Sequence, residues 1–222
     1  MDLDRQAQRL VDLGVHELAG LPAAELLGAA GRLAEDAPGV PEVLVVHPGA
    51  VPVAALVPLL ERSGRPGFVV ADMTDVAEFT PIDGLDVPAG PLYAVRDARR
   101  GDELRNLSPD EALPLLDEAG RSPLTLGEGV CWLLQEPQRL EPNHCFMAIG
   151  SRKRGRRGRD ARVPALWISG GTGRDGRERR GAPKAGWCWA GNRHTWLGFA
   201  STAGRRGPTP TAQRGDAPAV RR

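Results

Sequence analysis

Lysine is almost missing from this chain: Lys153 and Lys184 are the only two in 222 residues, so its basic chemistry is guanidinium chemistry. Aromatic side chains are scarce as well, with one Tyr, four Phe and five Trp. The three cysteines, Cys131, Cys145 and Cys188, are odd in number and widely spaced, which excludes the disulfide framework of a small secreted domain. Long apolar runs are absent too. The segment from Val43 to Leu60 carries no formal charge and just reaches the length of a membrane helix, but His47, Pro48, Gly49, Pro52 and Pro58 interrupt it. The reading is a strand, a turn and a helix, with no membrane partner. Met1-Asp2-Leu3-Asp4-Arg5 carries acids early and no apolar stretch follows directly, so no signal peptide is expected and the expected location is cytoplasmic.

What is present fits a folded domain. Hydrophobic residues make up 41% and charged residues 26%, while 28 Gly and 20 Pro stay below the share that marks a wholly disordered chain. The length allows one sizeable core. The formal charge of +1 hides a polarised chain: residues 1–150 hold 11 Arg and no Lys against 24 carboxylates, and residues 151–222 hold 18 Lys and Arg against Asp160, Asp175, Glu178 and Asp216. Such a chain attracts an anionic partner with one end or docks its two ends on each other.

Periodicity and punctuation give the elements. Leu3, Ala7, Leu10 and Val11 follow helical spacing behind Asp2, with Gly14 as the stop, and Leu26, Leu27, Ala30 and Leu33 define a second helix from near Pro22. Val43–Val46 and Phe68–Val70 read as buried strands flanking a helical stretch to Arg62, a strand–helix–strand unit with an expected parallel crossover. Leu92–Val95 is a third strand. Ser108-Pro109-Asp110-Glu111 and Thr125-Leu126-Gly127-Glu128 are capping boxes that open two further helices. These two outline a helix-turn-helix, but they are acidic or neutral where a DNA-reading helix needs Arg, Lys, Asn or Gln. The C-terminal third reads as short strands: Cys145–Ile149, Val163–Ser169, Gly186–Ala190 and Thr195–Ala200, the last two as a hairpin turning through Gly191-Asn192-Arg193. The expected fold is α+β: a helical N-terminus, a small mixed sheet, two capped helices and a C-terminal antiparallel β-unit. Residues 1–204 form one domain with Arg- and Gly-rich loops at 152–160 and 171–183, and 205–222 form a disordered tail.

Several stretches carry a likeness: Gly101-Asp102-Glu103-Leu104-Arg105-Asn106 running into the first capping box, Gly120-Arg121-Ser122-Pro123-Leu124-Thr125, Asn143-His144-Cys145-Phe146, Arg162-Val163-Pro164-Ala165-Leu166-Trp167-Ile168-Ser169, Gly186-Trp187-Cys188-Trp189-Ala190-Gly191-Asn192 and His194-Thr195-Trp196-Leu197-Gly198. On these residues the chain resembles an uncharacterised actinobacterial protein family, a domain of unknown function. The likeness covers most of residues 1–205 and is specific from about residue 87 onward. The resemblance implies no activity, cofactor or catalytic residue.

The densest candidate site is the run from Trp187 to Trp196, which holds three of the five Trp. On a strand Trp187 and Trp189 share a face, with Cys188 on the other. Asn192, Arg193 and His194 then offer amide, guanidinium and imidazole donors beside indole walls, the make-up of a small-ligand pocket. The leading expectation is a small-molecule or peptide binding protein using Trp187, Trp189, Asn192, Arg193, His194 and Trp196; the plainer alternative is an aromatic core. A second expectation is single-stranded nucleic-acid binding through the arginines of 152–159 and 174–180, set against solvated loops that offset the acidic half. A third is a thiol-dependent enzyme using Cys188 and His194. His144, Cys145, Cys188 and His194 are of the types zinc prefers, but their spacing is poor and no cofactor is expected. Gly171-Thr172-Gly173-Arg174-Asp175-Gly176 has the letters of a dinucleotide fingerprint, but Gly181, Pro183 and Gly186 leave no room for the helix that chemistry needs. Asp102, Glu103 and Arg105 read as an ion-paired loop.

Overall fold

Asp2 opens the first helix by accepting the Arg5 N–H at 2.9 Å, and α1 runs Leu3–Asp12 behind that cap. Its buried stripe of Leu3, Ala7 and Leu10 packs on α2 (Ala23–Asp36), which buries Leu26, Ala30 and Leu33 in return. Gly14 sits at φ 73, a left-handed position that an L side chain adopts only under strain, and so ends the first helix. The protein is described by a computed structural model over residues 1–36, 41–155 and 158–208.

The principal strands are β1 (Glu42–Val46), β2 (Phe68–Val69), β3 (Leu92–Arg96), β4 (Cys145–Met147), β5 (Arg162–Ile168), β6 (Pro183–Trp189), β7 (Leu197–Phe199) and β8 (Gly204–Arg206). They form two main sheets. One has the order β1-β3-β8, antiparallel throughout; the other has the order β7-β4-β5-β6-β2, with β7 and β2 parallel to their neighbours and the centre antiparallel. The fold is α+β.

The two helices with capping boxes are α3 (Pro109–Glu118) and α4 (Leu126–Gln135). Both boxes close reciprocally: Ser108 N–H donates to Glu111 at 2.8 Å and Glu111 N–H to Ser108 Oγ at 3.3 Å, while Thr125 N–H donates to Glu128 at 2.7 Å and Glu128 N–H to Thr125 Oγ1 at 3.2 Å. From Glu128 to Gln135 every residue of α4 is buried, as expected of a helix with apolar residues all round. It lies between the sheets. Gly129 brings it against β4 and β5, where an added Cβ would stand 2.9 Å from Leu166 and 3.0 Å from Phe146, and Cys131 Sγ lies 3.5 Å from the Val46 N–H of β1. A helix held in this way has no free face to enter a DNA groove.

Three sequence expectations are corrected. Val43–Val46 and Phe68–Val70 do not form a parallel unit: β1 pairs antiparallel with β3, and β2 joins the other sheet beside β6. The segment between them is a one-turn helix, Val53–Leu56, and a 3-10 turn, Val57–Leu59, because Pro58 supplies no N–H to extend it. Residues 186–190 and 195–200 do not form a hairpin. β7 lies instead at the far edge of the sheet, with two strands between it and β6, and pairs parallel with β4. Arg205 and Arg206, placed in the tail by composition, belong to β8; the rest of that segment from 209 onward lies outside the described residues.

The polarised charge resolves into docking of one half on the other. Arg152 meets Asp110, Lys153 meets Asp75 and Glu78, Arg154 meets Asp83, and Arg162 bridges Asp75 and Asp160. Further along, Arg193 pairs with Glu111, Arg205 with Glu128 and Arg206 with Glu42.

Candidate functional site

The seven-residue antiparallel register of β5 and β6 places Trp167 opposite Lys184 and Ala165 opposite Gly186 on one face of the sheet. The hairpin loop that joins the two strands continues the ladder through Ser169 and Ala182 and then folds back over this face. Its return carries Asp175 onto the strands, where the carboxylate accepts from Ser169 Oγ at 2.7 Å and from Lys184 Nζ at 2.5 Å. Lys184 Nζ also lies 4.6 Å from the centre of the Trp167 ring, within cation–π range. Both charged side chains are nearly covered, 12% exposed for Lys184 and 11% for Asp175. Burial pushes the Asp175 carboxyl up, but the hydrogen bonds from Lys184 and Ser169 and the charges of Lys184 and Arg179 outweigh it and hold the group below its ordinary value.

Lys184 and Asp175 form the floor of a cavity of about 290 Å³. Val70 and Ala71, just past β2, make one side, Trp167 contributes indole surface and Trp187 completes the lining; Asp72 and Arg174 stand at the rim, 3.8 Å apart and far more exposed than the floor pair. Gly186 is what lets the wall form. A Cβ there would meet Trp167 Cη2 at 2.5 Å and Val70 Cγ1 at 3.0 Å, so the bare backbone lets the indole lie across β6. Two other hollows lack this combination. The groove of about 670 Å³ between Ile82–Leu85 and α3 has its Asp83 and Arg121 engaged by Arg154 and Asp97. A hollow of about 250 Å³ beside Phe79 and Leu126 is mainly apolar.

The residues expected at a Trp-Cys-Trp pocket are only partly gathered. Trp187 lines the cavity. Trp189 is exposed and stands edge-on to Trp187 with ring centres 4.7 Å apart. Asn192 and Arg193 are exposed in the following turn, away from the cavity, where Arg193 is taken by Glu111. Trp196 packs edge-on to Trp167 at 6.4 Å, with His194 behind it at 5.5 Å, so both buttress the wall instead of lining it. Trp167, Ser169, Asp175 and Lys184 were not singled out from the sequence. Lys184 carried a readable signal: it is one of two lysines in the chain and lies in an otherwise apolar strand.

The cysteine and histidine candidates stay apart. Among the described residues no group of His, Cys, Asp and Glu is assembled as a metal site. Cys145 on β4 and Cys188 on β6 are separated by β5, roughly 10 Å at two strand spacings, well beyond what one zinc ion spans. His144 Nδ1 faces Asp102 at 3.4 Å and Arg105 at 3.3 Å, inside the loop where Arg100 grips Asp102 at 2.7 Å. Among the described residues no hydrogen bond joins Cys188 to His194. Burial pushes the Cys188 thiol up to about 11, the reverse of what a thiolate nucleophile needs. The fingerprint-like loop makes two 3-10 turns, Gly173–Asp175 and Arg177–Arg179, and among the described residues no helix follows it. No described helix is long and apolar enough to cross a membrane.

No curated protein and no solved structure matches this chain. A sequence family does, over residues 9–208, nearly the whole described fold with both main sheets and the cavity between β2 and the β5–β6 hairpin. The chain belongs to DUF5701, a family of unknown function.

Proposed function

We propose that the protein binds a small molecule in the cavity floored by Lys184 and Asp175. The observation that carries this reading is a nearly buried ion pair set against an indole wall in a hollow that opens to solvent. Packing alone rarely retains such a pair. Taking two charges out of water costs several kcal/mol per ion, and apolar residues of similar volume often serve stability as well or better. Within a pocket the same groups can serve a ligand: an ammonium and a carboxylate fix its polar edge while indole surface covers its flat part. The volume suits a small molecule better than a peptide, lying near the lower end of the ~300–1,000 Å³ usual for ligand sites.

Saturation-transfer NMR with three planar probes, benzoate, nicotinate and adenine, tests the reading. Transfer from the protein to at least one of them is expected, and it should fall at least fivefold in Trp167→Ala and in Lys184→Met. Trp167→Phe, which keeps an aromatic wall, should retain most of it. Transfer unchanged in all three variants, or no transfer to any probe at millimolar concentration, overturns the assignment.

A further inference from the structure

The described basic side chains fall into two classes, those with a carboxylate partner and those without. Those of the 152–162 region with resolved ion pairs, Arg152, Lys153, Arg154 and Arg162, are each neutralised by a carboxylate. The second class is not. Arg177, Arg179 and Arg180 follow Asp175 in the hairpin loop, and Arg62 and Arg65 approach the same place from the Glu61–Pro66 turn. Arg62 Nη1 donates to the Gly181 carbonyl at 3.4 Å, and a Cβ on Gly181 would lie 3.9 Å from Arg62 Nη1 and 4.0 Å from Arg65 Nη1. Among the described residues none of these five guanidiniums has a carboxylate partner within ion-pair distance. Glu178, in their midst, folds back on Gly176 instead.

This cluster adjoins the cavity. Phe68 pairs in register with Lys184 and so shares its face of the sheet, and Arg179 lies over the Phe68 ring at 4.5 Å from its centre. The charge of Arg179 reaches Asp175 on the cavity floor, and Arg174 of the same loop stands at the rim. Arg179 thus stands beside the cavity floor, and the uncompensated guanidiniums of the same loop and of the Glu61–Pro66 turn continue outward from it. Guanidinium matches phosphate geometry by paired N–H donors, and in a cluster of like charge an anion relieves the mutual repulsion.

Resting on the small-molecule reading of the cavity, we infer that its ligand is a nucleoside phosphate, with the planar base against the indole wall and the phosphate on the arginines of 62–65 and 177–180. The inference uses the side chains of the loop and not its glycine spacing. Because the same chemistry exists as a free nucleotide and as a unit of a single strand, the test must separate these sources.

Isothermal titration of the full chain with adenosine, AMP, ADP, inorganic phosphate and a ten-nucleotide oligo(dT) at two salt concentrations decides the matter. AMP or ADP is expected to bind at least tenfold tighter than adenosine and than inorganic phosphate, with affinity falling as salt rises. The triple variant Arg65→Ala/Arg177→Ala/Arg179→Ala, all at exposed positions, should remove that tenfold gain while leaving adenosine binding unchanged. Oligo(dT) bound more tightly than AMP supports the inference with a strand as the source; the reverse order supports it with the free nucleotide. Equal affinity for adenosine and AMP overturns the inference and leaves the cavity reading standing. Inorganic phosphate binding as well as AMP, or no binding by any nucleotide at millimolar concentration, overturns it outright.

Discussion

Arg205 on β8 reaches across the first sheet to the buried carboxylate of Glu128, the N3 residue of α4, where Nη2 lies 2.7 Å from Oε2. Glu128 also accepts the Tyr93 hydroxyl at 3.0 Å and caps the Thr125 N–H, so one carboxylate joins the second capping box, the centre of β3 and the last strand. With both partners almost fully covered, removing one leaves the other charged and dry.

Arg205→Ala should therefore cost about 3–5 kcal/mol, the range for breaking a buried pair from one side. Urea denaturation followed by far-UV circular dichroism measures it. The double variant Arg205→Met/Glu128→Gln, which removes both charges, should recover a substantial part. An Arg205→Ala loss below 1 kcal/mol would show that the pair does not hold β8 in place.

Asp75 governs the acid limb of stability. Its carboxyl is held well below the usual range, first by the Arg162 hydrogen bond and then by that from Lys153, against an opposing burial effect. A carboxyl with a depressed folded pKa stabilises the fold above its unfolded pKa, about 3.9, and that stability drains away as pH falls toward the folded value. Asp75→Asn should thus lower stability at pH 7 and flatten the pH dependence below about pH 4. Denaturant midpoints at half-unit steps from pH 2 to 7 check both signs together.

Cys188 should be a slow thiol. A value near 11 against the ordinary 9.0 leaves about a hundredfold less thiolate at pH 8. Iodoacetamide labelling followed by mass spectrometry should find it at least tenfold slower than free cysteine, with Cys131, pushed up to about 12, slower still. Labelling of Cys188 at the rate of free cysteine at pH 8 would restore the case for thiol chemistry.

Gly186→Ala should disturb the cavity more than the fold. The new methyl cannot share space with Trp167 Cη2 at 2.5 Å, so the indole must move, at a cost of about 1–3 kcal/mol as for other overpacked sites. A changed near-UV circular dichroism band with an unchanged far-UV spectrum is the expected signature. An unaltered near-UV band would mean that Trp167 does not lean on that glycine.

What the sequence made legible was local. Both capping boxes, the Asp2 cap and the buried stripes of α1 and α2 follow from residues within a turn or two of each other, and all are present. Strands were found but not their partners. Val43–Val46 and Phe68–Val70 are short apolar runs, and nothing in such a run names the strand it will meet; β1 met β3 and β2 met β6. The charge asymmetry was readable either as attraction for an anionic partner or as docking of the two halves, and Lys153 and Arg162 on Asp75 are contacts of the second kind. The candidate site was half legible: indole density pointed to Trp187, whereas Asp175 reaches Lys184 only because a loop doubles back, which no spacing rule encodes.

The sheet β1-β3-β8 joins strands from distant parts of the chain, with Gly204 opposite Arg96. During synthesis β3 leaves the ribosome early, yet its second edge waits for residues 204–206, an interval of roughly 5–20 s at about 5–20 residues per second. Throughout it Ala94, Val95 and Arg96 present an unpaired strand edge, the kind of surface that recruits other nascent chains. The Arg205 clasp on Glu128 thus acts as a late seal, and a chain stalled before residue 204 should be a substrate for chaperones and not a nearly finished protein.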